Sequence, residues 1–238
     1  MKIFVLIVSL VCVQGFISAQ NKNITIYYGD STKTIDLANS DSLKFFICGA
    51  STVEYAGKIY NTVLIGNQCW LKENLDVGTR IQNNQSALDN GIIEKYCYDN
   101  DSVNCDNNGG LYSWNEAMQY STTSGSQGIC PPGWRIPTLA ELQTLRDSVN
   151  GNGNSLKAIG QGTGAGAGTN TSGFSALLTG YRNFDGNSVL FGEVTHFWSS
   201  TESNTTTTTS LHVGYDNSGI FFTDYSKGNG FCIRCIKN

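Results

Sequence analysis

Eight cysteines in a chain of 238 residues constrain this fold more than any other feature. Cys12 lies in an N-terminal apolar stretch, and the other seven are Cys48, Cys69, Cys97, Cys105, Cys130, Cys232 and Cys235. Compartment decides what they mean, because thiols oxidise to bridges outside the cytoplasm and stay reduced within it. Lys2, the apolar run from Ile3 to Cys12, too short to span a bilayer, and Ile17-Ser18-Ala19 with a small residue last have the layout of a secretory signal peptide cut after Ala19. Lipidation of Cys12 is not expected, since the β-branched Val11 stands where a small residue is required. The expectation is an extracellular or cell-surface chain whose seven cysteines form disulfides with one left over. No later segment reaches the roughly 20 consecutive apolar residues of a membrane helix, so no transmembrane segment is expected.

Removing residues 1–19 leaves 219 of the 238, and the loss of Lys2 moves the net charge from −4 to −5. Charged residues are 14% of the chain while Gly, Asn, Ser and Thr abound, which points to turns and an uncharged polar surface. With no Lys/Arg cluster to neutralise phosphates, a nucleic-acid partner is excluded. Residues 20–50 read as a small β-rich appendage, with Ile24, Ile26 and Tyr28 alternating, then Thr34 to Leu37, then Leu43 to Ile47. A hairpin is expected from Val53 to Ile65 around Ala56-Gly57-Lys58. Ser113 to Glu116 and Thr138 to Glu141 both read as capping boxes, each opening a helix. Beyond residue 170, strands are expected at Phe174–Leu178, Val189–Phe191, His196–Ser199, Leu211–Tyr215, Ile220–Tyr225 and Phe231–Ile236, with Gly160–Gly168 and Asn204–Ser210 as loops. The sum is an α+β class.

Several clusters carry candidate chemistry. Cys97 and Cys105 are close enough to bridge a short loop. Cys232-Ile233-Arg234-Cys235 has redox-motif spacing, but residues three apart in a strand point to opposite faces, so the two sulfurs are not expected to meet. Asp99, Asp101 and Asp106, with Asn107 and Asn108, gather oxygen ligands that could hold Ca²⁺, although they miss the EF-hand spacing and are also ordinary turn formers. Gly162, Gly164, Gly166 and Gly168 lack the strand before and the Lys-Ser/Thr after that a phosphate loop needs, and read as a flexible loop. His196 and His212 have no motif partner, and Ser199, Ser200 and Glu202 near His196 read as strand-end hydrogen bonders, so no nucleophile-base pair can be built. Tyr181, Phe184, Tyr215 and Tyr225 flank loops and are the candidates to stack on sugar faces.

The order of landmarks from Gly66-Asn67-Gln68-Cys69-Trp70-Leu71-Lys72-Glu73-Asn74-Leu75, through Tyr96-Cys97-Tyr98-Asp99, Gly110-Leu111-Tyr112-Ser113-Trp114, Gly128-Ile129-Cys130-Pro131-Pro132-Gly133-Trp134-Arg135 and Gly180-Tyr181-Arg182, to Phe197-Trp198-Ser199-Ser200 and Gly230-Phe231-Cys232-Ile233-Arg234-Cys235, resembles the Fibrobacter succinogenes major paralogous domain over residues 53–238. That resemblance implies a C-type lectin-like fold, a short twisted mixed or antiparallel sheet with two main helices and long loops, in a secreted or surface protein of Bacteroidetes-type bacteria. It also implies a Cys130–Cys235 bridge closing the chain's end onto a helix entry, and core positions for Trp70, Trp114, Trp134 and Trp198. For Cys69 the partner is Cys48 or Cys232. The Glu-Pro-Asn and Trp-Asn-Asp calcium signatures of sugar-binding lectins are absent, and Cys232 and Cys235 lack the setting of the reactive cysteines in formylglycine-generating enzymes, which share the fold. The expected role is therefore a non-enzymatic binding module that displays loops 76–95, 150–171 and 182–193 to a glycan or surface protein, with a structural envelope component as the alternative.

Overall fold

In a computed structural model, residues 45–238 are described in full, and strand backbone is described at residues 17–20, 23–28 and 31–36. The chain divides into two units, residues 1–46 and 47–238. In the first, β1 (Ile17–Gln20), β2 (Asn23–Tyr28) and β3 (Ser31–Asp36) form an antiparallel sheet in chain order. The alternation at Ile24, Ile26 and Tyr28 falls on β2, but the third strand is Ile17–Gln20 rather than Leu43–Ile47. Residues 45–47 are not strand, and 43–44 lie outside the described residues. The apolar run at 3–12 also lies outside them, and β1 straddles the expected cleavage point.

The second unit opens with the expected hairpin. Gly57, at φ 77°, turns β4 (Thr52–Tyr55) into β5 (Lys58–Ile65) in a conformation L-residues avoid. β6 (Gln68–Leu71) follows, and with β9 (Trp134–Arg135) and β15 (Ile236–Lys237) it completes a five-stranded sheet in the order β4-β5-β6-β15-β9, all antiparallel. β15 is the chain's end, inserted between β6 and β9. The short pair β7 (Thr79–Arg80) and β8 (Glu94–Lys95) is parallel, β10 (Tyr181–Arg182) and β11 (Ser188–Val189) form a hairpin, and β12 (Val194–Glu202), β13 (Thr207–Gly214) and β14 (Phe221–Ser226) form an antiparallel sheet. Mixed α+β architecture is thus as expected.

Three disulfides pin this unit: Cys48–Cys69, Cys97–Cys105 and Cys130–Cys235, with Cys232 free and buried. Their loops follow one another along the chain without nesting or crossing. The four tryptophans are all core. One cluster gathers Trp114, Trp134, Trp198, Tyr112, Phe231 and the Cys130–Cys235 bridge, and the other gathers Trp70, Phe174, Phe197, Leu142, Leu145 and Leu211. Trp70, Phe174 and Phe197 meet edge to face at 5.8 and 5.5 Å, the arrangement ring quadrupoles favour.

The helices depart from expectation in an instructive way. Thr138 caps α3 (Leu139–Ser148) with the full reciprocal box, and Arg135 forks onto the Glu141 carboxylate behind it. Ser113 makes no cap hydrogen bond, and α2 (Trp114–Ala117) is a single turn. Its Glu116 is buried, and the carboxylate accepts from the Glu94 N–H at 3.0 Å and the Tyr120 hydroxyl at 3.0 Å, so it is not free to complete a box. An unexpected helix, α1 (Ser102–Asn108), fills the Cys97–Cys105 loop, with Asp101 as its cap.

The strand expectations need four corrections, the first at Val189–Phe191, where β11 stops at Val189 because Leu190 sits at φ 59° and Phe191 is in a turn. Phe174–Leu178 is irregular, because Ser175 sits at φ 59° and only Ala176 bridges, to Lys157. Phe231–Ile236 is not one strand: Phe231 bridges Tyr112, Cys232 bridges Phe197, and β15 begins at Ile236. Thr207–Ser210 belongs to β13 rather than a loop, since β-branched threonines pair with Ser226 to Thr223. Gly160–Gly168 is packed down, with the Thr163 N–H bonded to the Tyr215 carbonyl at 2.8 Å. A Cβ on Gly166 would run into that same carbonyl.

Candidate functional site

The β10–β11 hairpin builds the most site-like feature. At its tip the Asn183 and Gly186 amides donate to the Asn187 and Asn183 carbonyls, and the Asp185 carboxylate accepts from the Asn187 N–H and side-chain amide, which lowers its pKa. This turn holds Phe184 outward at 65% exposure. Two residues earlier, at the end of β10, Arg182 is by contrast only 5% exposed. Its Nε donates to the Asn83 carbonyl at 2.8 Å, Nη1 to Gly228 at 3.0 Å and Nη2 to Gln85 at 3.3 Å, and the guanidinium lies over the Tyr96 ring at 4.1 Å. Three of the five guanidinium N–H groups are thus used on carbonyls. No carboxylate pairs with Arg182 among the described residues.

Beside this arginine is a cleft of about 210 Å³ lined by Ser113, Asn115, Tyr120, Phe184 and Lys227 as well as Arg182. Lys227 is fixed by the Glu202 carboxylate and lies over Trp114 at 4.2 Å. Burial pushes the Tyr120 phenol up, and its bond to Glu116 adds to the shift, so it stays a neutral donor. Three polar groups held by their own partners, Arg182, Lys227 and Tyr120, therefore share a cleft with one exposed aromatic ring.

The four aromatic candidates do not form one surface. Tyr181 and Tyr225 are half-buried and box in His196, with ring centroids 5.0 and 4.9 Å from it, while Phe231 stacks on His196 at 4.4 Å. Tyr215, exposed, is committed through its backbone to Thr163 and Glu193. Only Phe184 reaches a cleft with polar groups around it.

His196 and His212 face each other across β12 and β13 at 4.9 Å. Burial, aided by the neighbouring His212, drives His196 well below its ordinary 6.5, and burial lowers His212 too. His196 Nδ1 meets Ser210 Oγ at 3.2 Å, and His212 Nδ1 has no partner among the described residues.

The three aspartates are separated rather than clustered. Asp101 caps α1, Asp106 faces Lys58 at 3.6 Å from that helix, and Asp99, at φ 53°, is tied through its N–H to Ser188 Oγ at 2.8 Å. The helix between Asp101 and Asp106 is what parts them. Among the described residues no three His, Cys, Asp or Glu side chains come together as metal ligands. Cys235 is bridged to Cys130, while Cys232 is wrapped by Asn74 and Thr179 and its thiol is pushed up by burial.

Sequence reasoning overlooked the buried charges. Arg234 is fully buried, sandwiched on Phe174 at 4.3 Å and held by Asn74 Oδ1 and the Leu71 and Phe174 carbonyls, and burial pulls it down to about 10. Lys157 spends its ammonium on the Gly214 and Asn217 carbonyls at 2.6 and 2.9 Å. Asp76 takes both Lys58 and Lys95 beside a hollow of about 370 Å³. Charges satisfied in this way, by carbonyls at Arg234 and Lys157 and by ion pairs at Asp76, hold segments together rather than await a ligand. The one available signal was the basic residue next to Tyr181, in Gly180-Tyr181-Arg182.

The profile of the Fibrobacter succinogenes major domain matches residues 63–237. The chain belongs to that family. Arg182, Ser113, Asn115, Tyr120 and Lys227 all fall inside the family domain, and so do all the disulfides' cysteines except Cys48. Comparison with curated proteins and with solved structures finds no match.

Proposed function

We propose that this chain is a non-catalytic, extracellular binding module on a C-type lectin-like frame, and that it takes a glycan in the cleft between the β10–β11 hairpin and α2. The carrying observation is Phe184, 65% exposed, beside a cleft in which Arg182, Tyr120 and Lys227 are already held in place by their own partners. A sugar offers an apolar ring face and a rim of hydroxyls. An exposed aromatic ring with fixed donors and acceptors beside it answers both, at little ordering cost.

Three disulfides and the N-terminal apolar stretch support an oxidising location, and no helix among the described residues is long and apolar enough to cross a membrane. The chain's last strand inside the main sheet, stapled by Cys130–Cys235, supports the lectin-like frame. The buried Cys232 and the desolvated His196 argue against a reactive nucleophile or base.

A glycan array followed by calorimetry on the hits tests this reading. Phe184→Ala should weaken binding by about tenfold, the worth of one stacked ring, with an unchanged melting temperature because the ring is exposed. Binding confined to proteins in a surface pull-down, or sugar binding indifferent to both Phe184→Ala and Asn115→Ala, overturns it.

A further inference from the structure

We propose that a second aromatic subsite lies on the other side of the β10–β11 hairpin, and that the ligand is therefore an oligosaccharide with a neutral sugar unit at this end; the inference rests on the glycan reading above. Phe191, 48% exposed, meets Tyr98 at 4.9 Å with the rings tilted by 50°. Together with Asp99 and Asn104 they line a shallow hollow of about 320 Å³. No side chain covers Phe191 as a core would, and Leu190 beside it is also exposed.

The polar chemistry of the hollow complements that of the first cleft. The Asp99 carboxylate takes no hydrogen bond or ion pair among the described residues. Asn104 spends its amide N–H on the Tyr98 carbonyl at 2.9 Å, which leaves its Oδ1 as an acceptor. This end thus offers acceptors and one negative charge, suited to hydroxyl donors and repelling an acidic sugar, whereas the two guanidinium N–H groups that Arg182 does not spend on carbonyls offer donors at the other.

The two sites are also mechanically continuous. Asn83 accepts from Arg182 Nε with its carbonyl, its Nδ2 donates to Ser188 Oγ at 2.9 Å, and that same hydroxyl receives the Asp99 N–H at 2.8 Å. Asp99 and Asn100 are both held at positive φ, 53° and 57°, by these bonds and by the Cys97–Cys105 bridge next to them. Asp and Asn enter this left-handed region more readily than other L-residues, and here the hydrogen bonds fix them in it. The hollow is therefore preorganised relative to the Arg182 cleft.

The test is calorimetry with cello-, laminari-, xylo- and manno-oligosaccharides of two to six units, on the wild type, Phe184→Ala, Phe191→Ala and Asn104→Ala. In the series that binds, affinity should rise by about tenfold, one further stacked ring, between the disaccharide and the hexasaccharide. Phe191→Ala should abolish that rise and leave the disaccharide Kd unchanged, Asn104→Ala should reduce it, and Phe184→Ala should weaken both lengths. Hexasaccharide binding that is no tighter than disaccharide binding, or that ignores Phe191→Ala, overturns the second subsite while leaving the first intact. Absence of binding in all four series overturns both.

Discussion

Replacing Cys130 and Cys235 together by alanine should destabilise the protein far more than the same change at Cys97 and Cys105. The bridges span 105 and 8 residues of sequence respectively. Because the disulfide loops are consecutive, opening one leaves the chain entropy of the others untouched. Loop-closure entropy then predicts losses of about 4.8 kcal/mol for the long bridge and about 2.5 kcal/mol for the short one. All four sulfurs are buried, so the cavities left by alanine are similar and largely cancel in the comparison. The Cys130–Cys235 variant should therefore sit about 2 kcal/mol below the other. For a unit of this size that difference is roughly 4 to 8 °C in melting temperature. Urea unfolding of both variants, oxidised at their remaining cysteines and compared at equal m-values, reads the difference directly. A Cys97–Cys105 variant as unstable as the Cys130–Cys235 variant would refute the reasoning, and would mean that native packing rather than closure of the unfolded chain governs these bridges.

Two further predictions concern stability. His196 and His212 are held neutral in the fold below their ordinary 6.5, so the unfolded state binds more protons once the pH drops under that value, and stability should fall from there downward. Melting curves from pH 7.5 to 5 should show this slope and should flatten in His196→Phe, whereas equal slopes in the two proteins would discard the histidines as its cause. Thr138→Ala should cost about 1 kcal/mol by removing a formed cap, while Ser113→Ala should cost close to nothing in helix capping, as no cap bond exists there; equal losses in urea unfolding would contradict the difference between the two helix starts.

What could be read without coordinates was written within a few residues. The box at Thr138 and Glu141 forms because its partners stand three apart on the turn they cap, the β4–β5 hairpin follows from its Ala56-Gly57 turn, and the Cys97–Cys105 bridge joins cysteines that closeness along the chain already favoured. The same four-residue pattern at Ser113 misled, because Glu94, distant by 22 residues, delivers its N–H to the Glu116 carboxylate first. Cys69 had two candidate partners, and the strand pairing around it placed Cys48 within reach.

The site divides along the same line. An exposed aromatic at Phe184 was visible in a loop sequence, but its joining to Ser113, Asn115 and Lys227 was not, nor was the separation of Asp99, Asp101 and Asp106 by a helix turn. The β4–β5 turn and the cap at Thr138 depend on neighbours along the chain, so the sequence by itself determined them. Buried charges such as Arg234, whose partner Asn74 lies 160 residues away, take their meaning from which strands the sheet brings side by side, and only the tertiary structure decided that.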